Sequence, residues 1–400
     1  MTSGEERPAE ELAGPFLPSH LYVHVPFCRS KCDYCDFYSI PGRPDELVEP
    51  VFRGIRSQLV GWSNSGLQGV IDTIYFGGGT PSCVPEKVVE TLDFVREHFV
   101  VHRAAEITVE GNPDSLGDET VTNFAEAGVT RVSVGVQSFD DHVLSMLGRR
   151  HDAEAAWSAA RRVVASGMAL SVDLMCGVPG QSATSWERTL ERACMSGARH
   201  ASVYPLSVEE KTPLDVAISA GLVPDTDADT QAEMMLLAEG LLGNCGLSRY
   251  EVANYASSVS DQSRHNKAYW TGSSYIGVGP AAHGMVGAAT GRVMGLCGQD
   301  ACAARVRYGN AASVEEWLVG RGDSCEQLCA TEAEREDVML GLRLTSGVEV
   351  EQVRSAGLSD VLESLASEGL CELVDDRWRT TTRGWLLGNE VFGRVWSGEP

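Results

Sequence analysis

The chain has 400 residues, 43% of them hydrophobic, and a formal net charge of −24, with only four lysines, Lys31, Lys87, Lys211 and Lys267. That length can bury a large core and suits one large domain with a smaller companion, whereas so negative a field repels polyanions and argues against a nucleic-acid function. No apolar run approaches the ~18 residues of a bilayer span, and the opening Met-Thr-Ser-Gly-Glu-Glu lacks the basic and apolar regions of a secretory signal, so a cytoplasmic protein is expected.

Residues 1–18, acidic and proline-containing, predict a poorly ordered N-terminus. Short segments rich in β-branched and aromatic residues predict strands over 22–26, 73–76, 106–110, 131–136, 170–175 and 201–206. Helical patterns over 85–99, 116–127, 153–166 and 184–196 lie between them, and Gly128, Gly167 and Gly197 stand just past the last periodic residue of three of these. Six such βα units imply an α/β fold with a parallel sheet, helices outside it and ligands at the carboxyl ends of its strands. From about Thr331 the pattern changes. Thr331 and Glu334 read as a capping box opening a helix to Leu344, a second helix covers 358–367, and 370–374 with 377–381 form a hairpin turned by Asp375-Asp376. This predicts a winged-helix-like α+β module. Residues 331–400 carry seven Arg against fourteen Asp and Glu, which favours a packing or partner-binding role over DNA binding. The expected division is an α/β domain over 19–290 and a C-terminal module over 291–400.

The residues with chemical potential lie at the strand ends. Cys28, Cys32 and Cys35 form C-x3-C-x2-C directly after the first strand. Three thiolates on one loop can hold three irons of a [4Fe-4S] cube and leave the fourth iron open. The alternatives are a zinc loop, which usually takes two separated ligand pairs, and buried core thiols. The other nine cysteines are scattered, and Cys325-x3-Cys329 reads as structural. Gly77-Gly78-Gly79-Thr80-Pro81 ends the second strand, where missing Cβ atoms allow close approach of a ligand, although alone it would be only a tight turn. Glu110 and Gln137 end the third and fourth strands. Arg149 offers a planar fork for a carboxylate, with Arg150 the competing choice. Asp173 is a lone carboxylate in an apolar strand, costly to bury unless it finds a hydroxyl or main-chain partner. In Arg264-His265-Asn266-Lys267-Ala268-Tyr269-Trp270 an imidazole stands beside an amide and aromatic rings, though a lone histidine is more often a hydrogen-bonded core residue; His283 is a second, weaker candidate ligand.

The cysteine spacing, with Tyr34 before the third cysteine, resembles the radical S-adenosylmethionine (radical SAM) superfamily. That resemblance implies a six-unit (βα)6 partial TIM-type barrel, a [4Fe-4S] cluster on Cys28, Cys32 and Cys35, and S-adenosylmethionine on its free iron. It implies cofactor contacts from Tyr22, Tyr34, Gly78, Gly79, Thr80, Glu110, Gln137, Arg149 and Asp173, with the glycine run as the amino-group site. Residues 21–284 are similar to the oxygen-independent coproporphyrinogen-III oxidases, which carry a fourth cysteine two places after the third, where this chain has Phe37. Phe37 shifts the resemblance to the sister family of HemW haem chaperones, whose H-N-x-x-Y-W motif matches His265, Asn266, Tyr269 and Trp270 and is associated there with haem. The resemblance implies a haem chaperone delivering its cargo to haem-requiring proteins, the alternative being the oxidase itself. The expected partners are haem, haem-accepting proteins and a second copy of the chain, with no nucleic acid and no membrane span.

Overall fold

The computed structural model describes residues 17–298, 300 and 302–399. The opening expected to be poorly ordered therefore lies outside the described residues except for Leu17 and Pro18, the latter accepting a hydrogen bond from the Gly69 amide at 3.0 Å.

All six expected strands form: β1 (His20–Val25), β2 (Ile71–Gly78), β3 (Val101–Gly111), β4 (Arg131–Gln137), β5 (Ala169–Cys176) and β6 (His200–Pro205). They stand side by side in chain order and are parallel throughout. Parallel neighbours require crossovers, supplied by α1 (Asp45–Ser65), α2 (Pro85–His98), α3 (Asp118–Glu126), α4 (Ala153–Ala165) and α5 (Ala183–Met195). Of these α1 was not foreseen, because Pro50 lies within it and breaks a helical pattern on paper. Its apolar stripe of Val51, Phe52, Ile55, Leu59 and Trp62 nevertheless buries against the sheet. The glycines expected to end α3, α4 and α5 adopt φ of 76°, 85° and 91°.

Side chains alternate along these strands. Ile74, Phe76, Ile107, Val109, Val132, Val134, Leu170 and Val172 form the helix-packed core. Their neighbours Tyr75, Thr108, Glu110, Ser133, Gly135, Ser171 and Asp173 line a cavity on the other face.

Beyond β6 the sheet grows at both edges. The strands β7 (Ser248–Arg249) and β8 (Asn254–Ala256) follow the helix α6 (Ala228–Asn244), and β8 lies antiparallel on β6. On the other side β9 (Tyr275–Val278) pairs in parallel with β1, and β10 (His283–Gly287), β11 (Ala303–Gly309) and β12 (Ser324–Cys329) continue antiparallel to give twelve strands in all. The last two carry the large sheet past the boundary expected at residue 290, because main-chain pairing of β11 with β10 and of β12 with β11 holds them there. Between β8 and β9 the short helix α7 (Arg264–Trp270) sits near the amino ends of β2 and β4. Its first amides, those of Arg264 and His265, donate to the Glu106 carboxylate at 3.2 and 3.1 Å, and Arg131 donates to the same carboxylate at 3.3 Å.

The C-terminal module contains α8 (Ala330–Gly341), α9 (Val350–Ser355), α10 (Ser359–Ser367) and α11 (Gly388–Ser397), with β13 (Val348–Glu349), β14 (Cys371–Val374) and β15 (Arg377–Thr380) in a three-stranded sheet. The Asp375 and Asp376 turn has φ of 48° and 58°, as a type I′ hairpin requires. The capping box begins two residues earlier than expected, with Cys329 as cap and its amide donating to Glu332 at 2.8 Å, since β12 runs directly into α8. The module has its own core around Leu342, Leu362, Leu365, Trp378 and Val391. It docks through the Trp385 indole, which donates to the Val252 carbonyl at 2.8 Å, and through Arg305, which pairs with Glu336 at 2.6 Å and Asp337 at 2.7 Å. Two cysteine pairs distant in sequence, Cys194 with Cys245 and Cys297 with Cys325, come within disulfide reach, their Cα atoms 6.0 and 5.8 Å apart. No helix among the described residues is long and apolar enough to cross a membrane.

Glu106 and Arg131 are both buried. Glu106→Ala should therefore strand a buried guanidinium and the two leading amides of α7, destabilising the protein by about 3–5 kcal/mol in urea unfolding; a loss below about 1 kcal/mol, the size of a surface pair, would contradict this role.

Candidate functional site

The polar face of the sheet and the loop after β1 enclose a cavity of about 560 Å³, the size of a small-molecule site. Cys28, Cys32 and Cys35 all border it. The Thr80 hydroxyl lies 3.4 Å from the Cys28 sulfur and the Arg149 guanidinium donates to the Cys32 sulfur at 3.4 Å. Burial holds the Cys28 and Cys35 thiols above their ordinary pKa, Thr80 partly offsetting this at Cys28. Three thiols on one cavity wall beside a guanidinium and a hydroxyl fit a [4Fe-4S] cluster, whose loading would release their protons. Phe37 borders the same cavity and is 67% exposed.

The glycine run permits a close approach, though to the chain itself. A Cβ on Gly78, whose φ is +103°, would lie 2.3 Å from the His24 ring, and one on Gly79 would lie 2.8 Å from the backbone of Val25, Pro26 and Phe27. Amides of Gly79 and Thr80 donate to the Val25 and Phe27 carbonyls at 2.9 and 2.7 Å. Missing side chains thus let β2 fasten the root of the cysteine loop, and Gly78, Gly79 and Thr80 still face the cavity.

Both half-buried carboxylates find partners. Glu110 accepts from the Tyr75 hydroxyl at 2.8 Å and the Gly78 amide at 3.1 Å, and burial pushes its pKa up to about 7. Asp173 accepts from the Ser133 hydroxyl at 3.0 Å, and burial raises it to about 6 against the opposing pull of Ser202 and Ser133. Gln137 lines the cavity from a bulge between β4 and β5, with φ of 62°, a conformation costly for a side-chain-bearing residue. Arg149 donates to Asn112 at 2.7 Å and to the Gly135 carbonyl at 2.6 Å, whereas Arg150 is exposed, so Arg149 is the cavity residue of the two. Tyr34 borders the cavity. Tyr22 stands behind the cavity wall, stacked on Tyr75 with ring centroids 6.1 Å apart and its hydroxyl 3.2 Å from His24.

The four motif residues expected to handle haem are divided. Asn266 faces the cavity. His265 is 1% exposed, with Nδ1 2.7 Å from the Thr73 hydroxyl and Nε2 2.8 Å from the Tyr269 hydroxyl, and burial lowers its pKa to about 3. Both nitrogens of this neutral ring are engaged within the protein. Trp270 donates to Glu251 at 3.1 Å, with Arg343 5.1 Å over its ring, and His283 is exposed at the start of β10. His265 thus takes the hydrogen-bonded core role weighed against haem contact in the sequence.

Several cavity residues were not singled out from the sequence: Tyr75, Thr108, Asn112, Arg131, Ser133, Ser171, His200 and Ser202. Stepping by two from Glu110, Gln137 and Asp173 finds Thr108, Asn112, Ser133, Arg131 and Ser171. His200 needed the fold, being recognisable only from its bonds to Ser171 at 2.7 Å and Tyr250 at 2.9 Å.

Residues 22–193 match the model of the Radical SAM superfamily and residues 328–387 that of the HemN C-terminal domain. The fold resembles that of coproporphyrinogen III oxidase (HemN) from Escherichia coli with a TM-score of 0.78, covering 98% of this chain and 93% of that one at 19% identity. Together these define the class, an α/β radical SAM protein with a C-terminal module. Over 384 residues the chain is 33% identical to the protein named heme chaperone HemW of Mycobacterium tuberculosis, covering 94% of each, and over 387 residues it is 31% identical to that of Bacillus subtilis, covering 93% of this chain and 97% of the other. The chain belongs to the HemW family.

Because the pKa of Glu110 is raised from 4.5 to about 7, its burial penalty is absent below pH 4.5, grows as pH rises and is complete above pH 7. Glu110→Gln, with no charge to bury, should be more stable than the unaltered cofactor-free protein at pH 8, by up to about 3 kcal/mol, and should lose that advantage near pH 4.5. Denaturant titrations at the two pH values test this; the same difference at both would contradict it.

Proposed function

We propose that this chain is a haem chaperone that binds haem and passes it to haem-requiring proteins, carrying a [4Fe-4S] cluster on Cys28, Cys32 and Cys35 and S-adenosylmethionine in the adjoining cavity. The observation that carries this reading is Phe37, in a chain otherwise similar over nearly its whole length to proteins named heme chaperone HemW. The related oxidases have a fourth cysteine at that place.

When bound, such a cluster and cofactor supply one-electron chemistry at a sulfonium centre. The residues of the chain bind and orient. Three cysteine thiolates would leave one iron open, the Arg149 fork offers charge to a carboxylate, and Glu110 and Asp173 offer acceptors to ammonium or hydroxyl groups. Gly78, Gly79, Thr80, Tyr34 and Gln137 complete the wall, with Tyr22 supporting it from behind. Within the motif, Asn266 is the residue with access to the cavity, so haem contact is assigned to it ahead of His265, whose ring nitrogens are engaged. A cluster on free thiols suits a reducing compartment, and a cytoplasmic site of action belongs to the proposal.

Cys28→Ala, Cys32→Ala and Cys35→Ala, reconstituted anaerobically, should each lose cluster absorbance together with bound iron and sulfide, while Cys325→Ala keeps them. Full cluster content in the triple variant would remove the assignment.

Titration of the unaltered protein with haem should shift the Soret band. The reconstituted protein, given reductant and S-adenosylmethionine, should form no protoporphyrinogen from coproporphyrinogen III. Turnover without haem binding would place the chain among the oxidases.

A further inference from the structure

The carboxylate of Glu110 is held from one side only. One oxygen accepts from the Tyr75 hydroxyl at 2.8 Å and the other from the Gly78 amide at 3.1 Å. The other titratable groups whose fields reach it are Asp173 and the phenols of Tyr22, Tyr204 and Tyr269, none of them cationic at neutral pH. The orientation of the carboxylate therefore depends on the Gly78 amide and on Tyr75, the one side chain that donates to it. That phenol is pinned in turn, its ring stacked on His265 with centroids 5.0 Å apart and on Tyr22 at 6.1 Å. His265 has no freedom to yield, since Thr73 holds Nδ1 at 2.7 Å, Tyr269 holds Nε2 at 2.8 Å and Glu106 accepts its backbone amide at 3.1 Å. A continuous packed path thus runs from α7 to the carboxylate at the end of β3.

We propose that Tyr75 and His265 are positioning residues for Glu110, holding its carboxylate in one orientation toward the cavity, so that the His-Asn-x-x-Tyr-Trp helix serves the S-adenosylmethionine pocket. This rests on the reading that the cofactor binds beside Glu110. A charge-assisted hydrogen bond from a fixed phenol favours the ionised form of the carboxylate against its burial and keeps it aimed, as an acceptor of ammonium or hydroxyl groups requires. Burial keeps the Tyr75 phenol protonated, and therefore a donor, over the whole working range.

The test measures S-adenosylmethionine binding to cluster-loaded protein by equilibrium dialysis between pH 6 and 9, alongside cluster content. Tyr75→Phe keeps the ring and removes only the donor. It should weaken binding about tenfold near neutral pH and move the acid limb of the affinity profile to higher pH, because loss of that donor raises the Glu110 pKa. The infrared carbonyl band of protonated Glu110, identified by its absence in Glu110→Gln, should titrate at higher pH in the cofactor-free Tyr75→Phe protein. His265→Ala should weaken cofactor binding similarly while leaving the haem Soret band unchanged. If Glu110→Ala loses affinity while Tyr75→Phe binds as the unaltered protein does at every pH, the positioning role is overturned and the cofactor reading stands. If Glu110→Ala itself binds normally, the cofactor reading fails and the proposal with it. A Soret change in His265→Ala with unaltered cofactor affinity would likewise overturn the proposal, returning that residue to haem.

Discussion

The site depends on the two-residue period of the parallel strands. Val109 and Glu110, or Val172 and Asp173, are adjacent in the chain and face opposite sides of one sheet, the first of each pair packed under helices and the second directed to the cavity. A register slip of one residue would exchange the faces, burying carboxylates among the helices and turning valines toward the cavity. The apolar face therefore specifies the register that the polar face uses. A parallel sheet covered on both sides normally reads as nearly continuous apolar runs. The hydroxyls, carboxylates and amides interspersed along β3 to β6 depart from that pattern and mark one face as ligand-directed.

Such a lining carries an electrostatic cost. Glu110 and Asp173 are both raised well above ordinary carboxylate values by burial, and their hydrogen bonds from Tyr75, Gly78 and Ser133 only partly offset it. Gln137 adds backbone strain at the end of β4. Perturbed carboxylates and a strained residue gathered at one cavity are common at functional sites, where the rest of the fold supports what the site destabilises. Support here comes from the helix-packed side of the sheet and from α7, which the buried Glu106 fastens by two amides and a guanidinium. In this packing His265, Thr73, Tyr75 and Glu110 form one connected set, so the motif on α7 is joined through Tyr75 to the wall of the cavity.

The cysteine loop and the glycine run illustrate a second coupling. Gly78 and Gly79 let β2 lie directly against His24 and the backbone leading into the loop, and Thr80 then reaches the Cys28 sulfur. The thiols are thus placed relative to the carboxylates by a sheet contact, independent of any ligand. Phe37, two residues past the last of them, projects toward solvent at the same cavity.

Taken alone, the sequence determined the local chemistry and the periodic elements. The C-x3-C-x2-C loop, the GGG strand end, Glu110, Gln137 and Asp173 were legible because each interrupts a strong pattern, and the six strands and four of the crossover helices because short-range periodicity specifies them. The Asp375-Asp376 hairpin was legible for the same reason, its turn chemistry being local. What tertiary structure decided was every matter of long-range pairing. It chose Arg149 over Arg150 by placing one beside Asn112 and Cys32, extended the sheet through β11 and β12 past residue 290, and brought Cys194 to Cys245 across 51 residues of sequence. It also decided the position of His265. A side chain's availability to a ligand depends on which groups from distant segments satisfy it, and Thr73, 192 residues away in the chain, occupies the nitrogen that the motif alone would leave free.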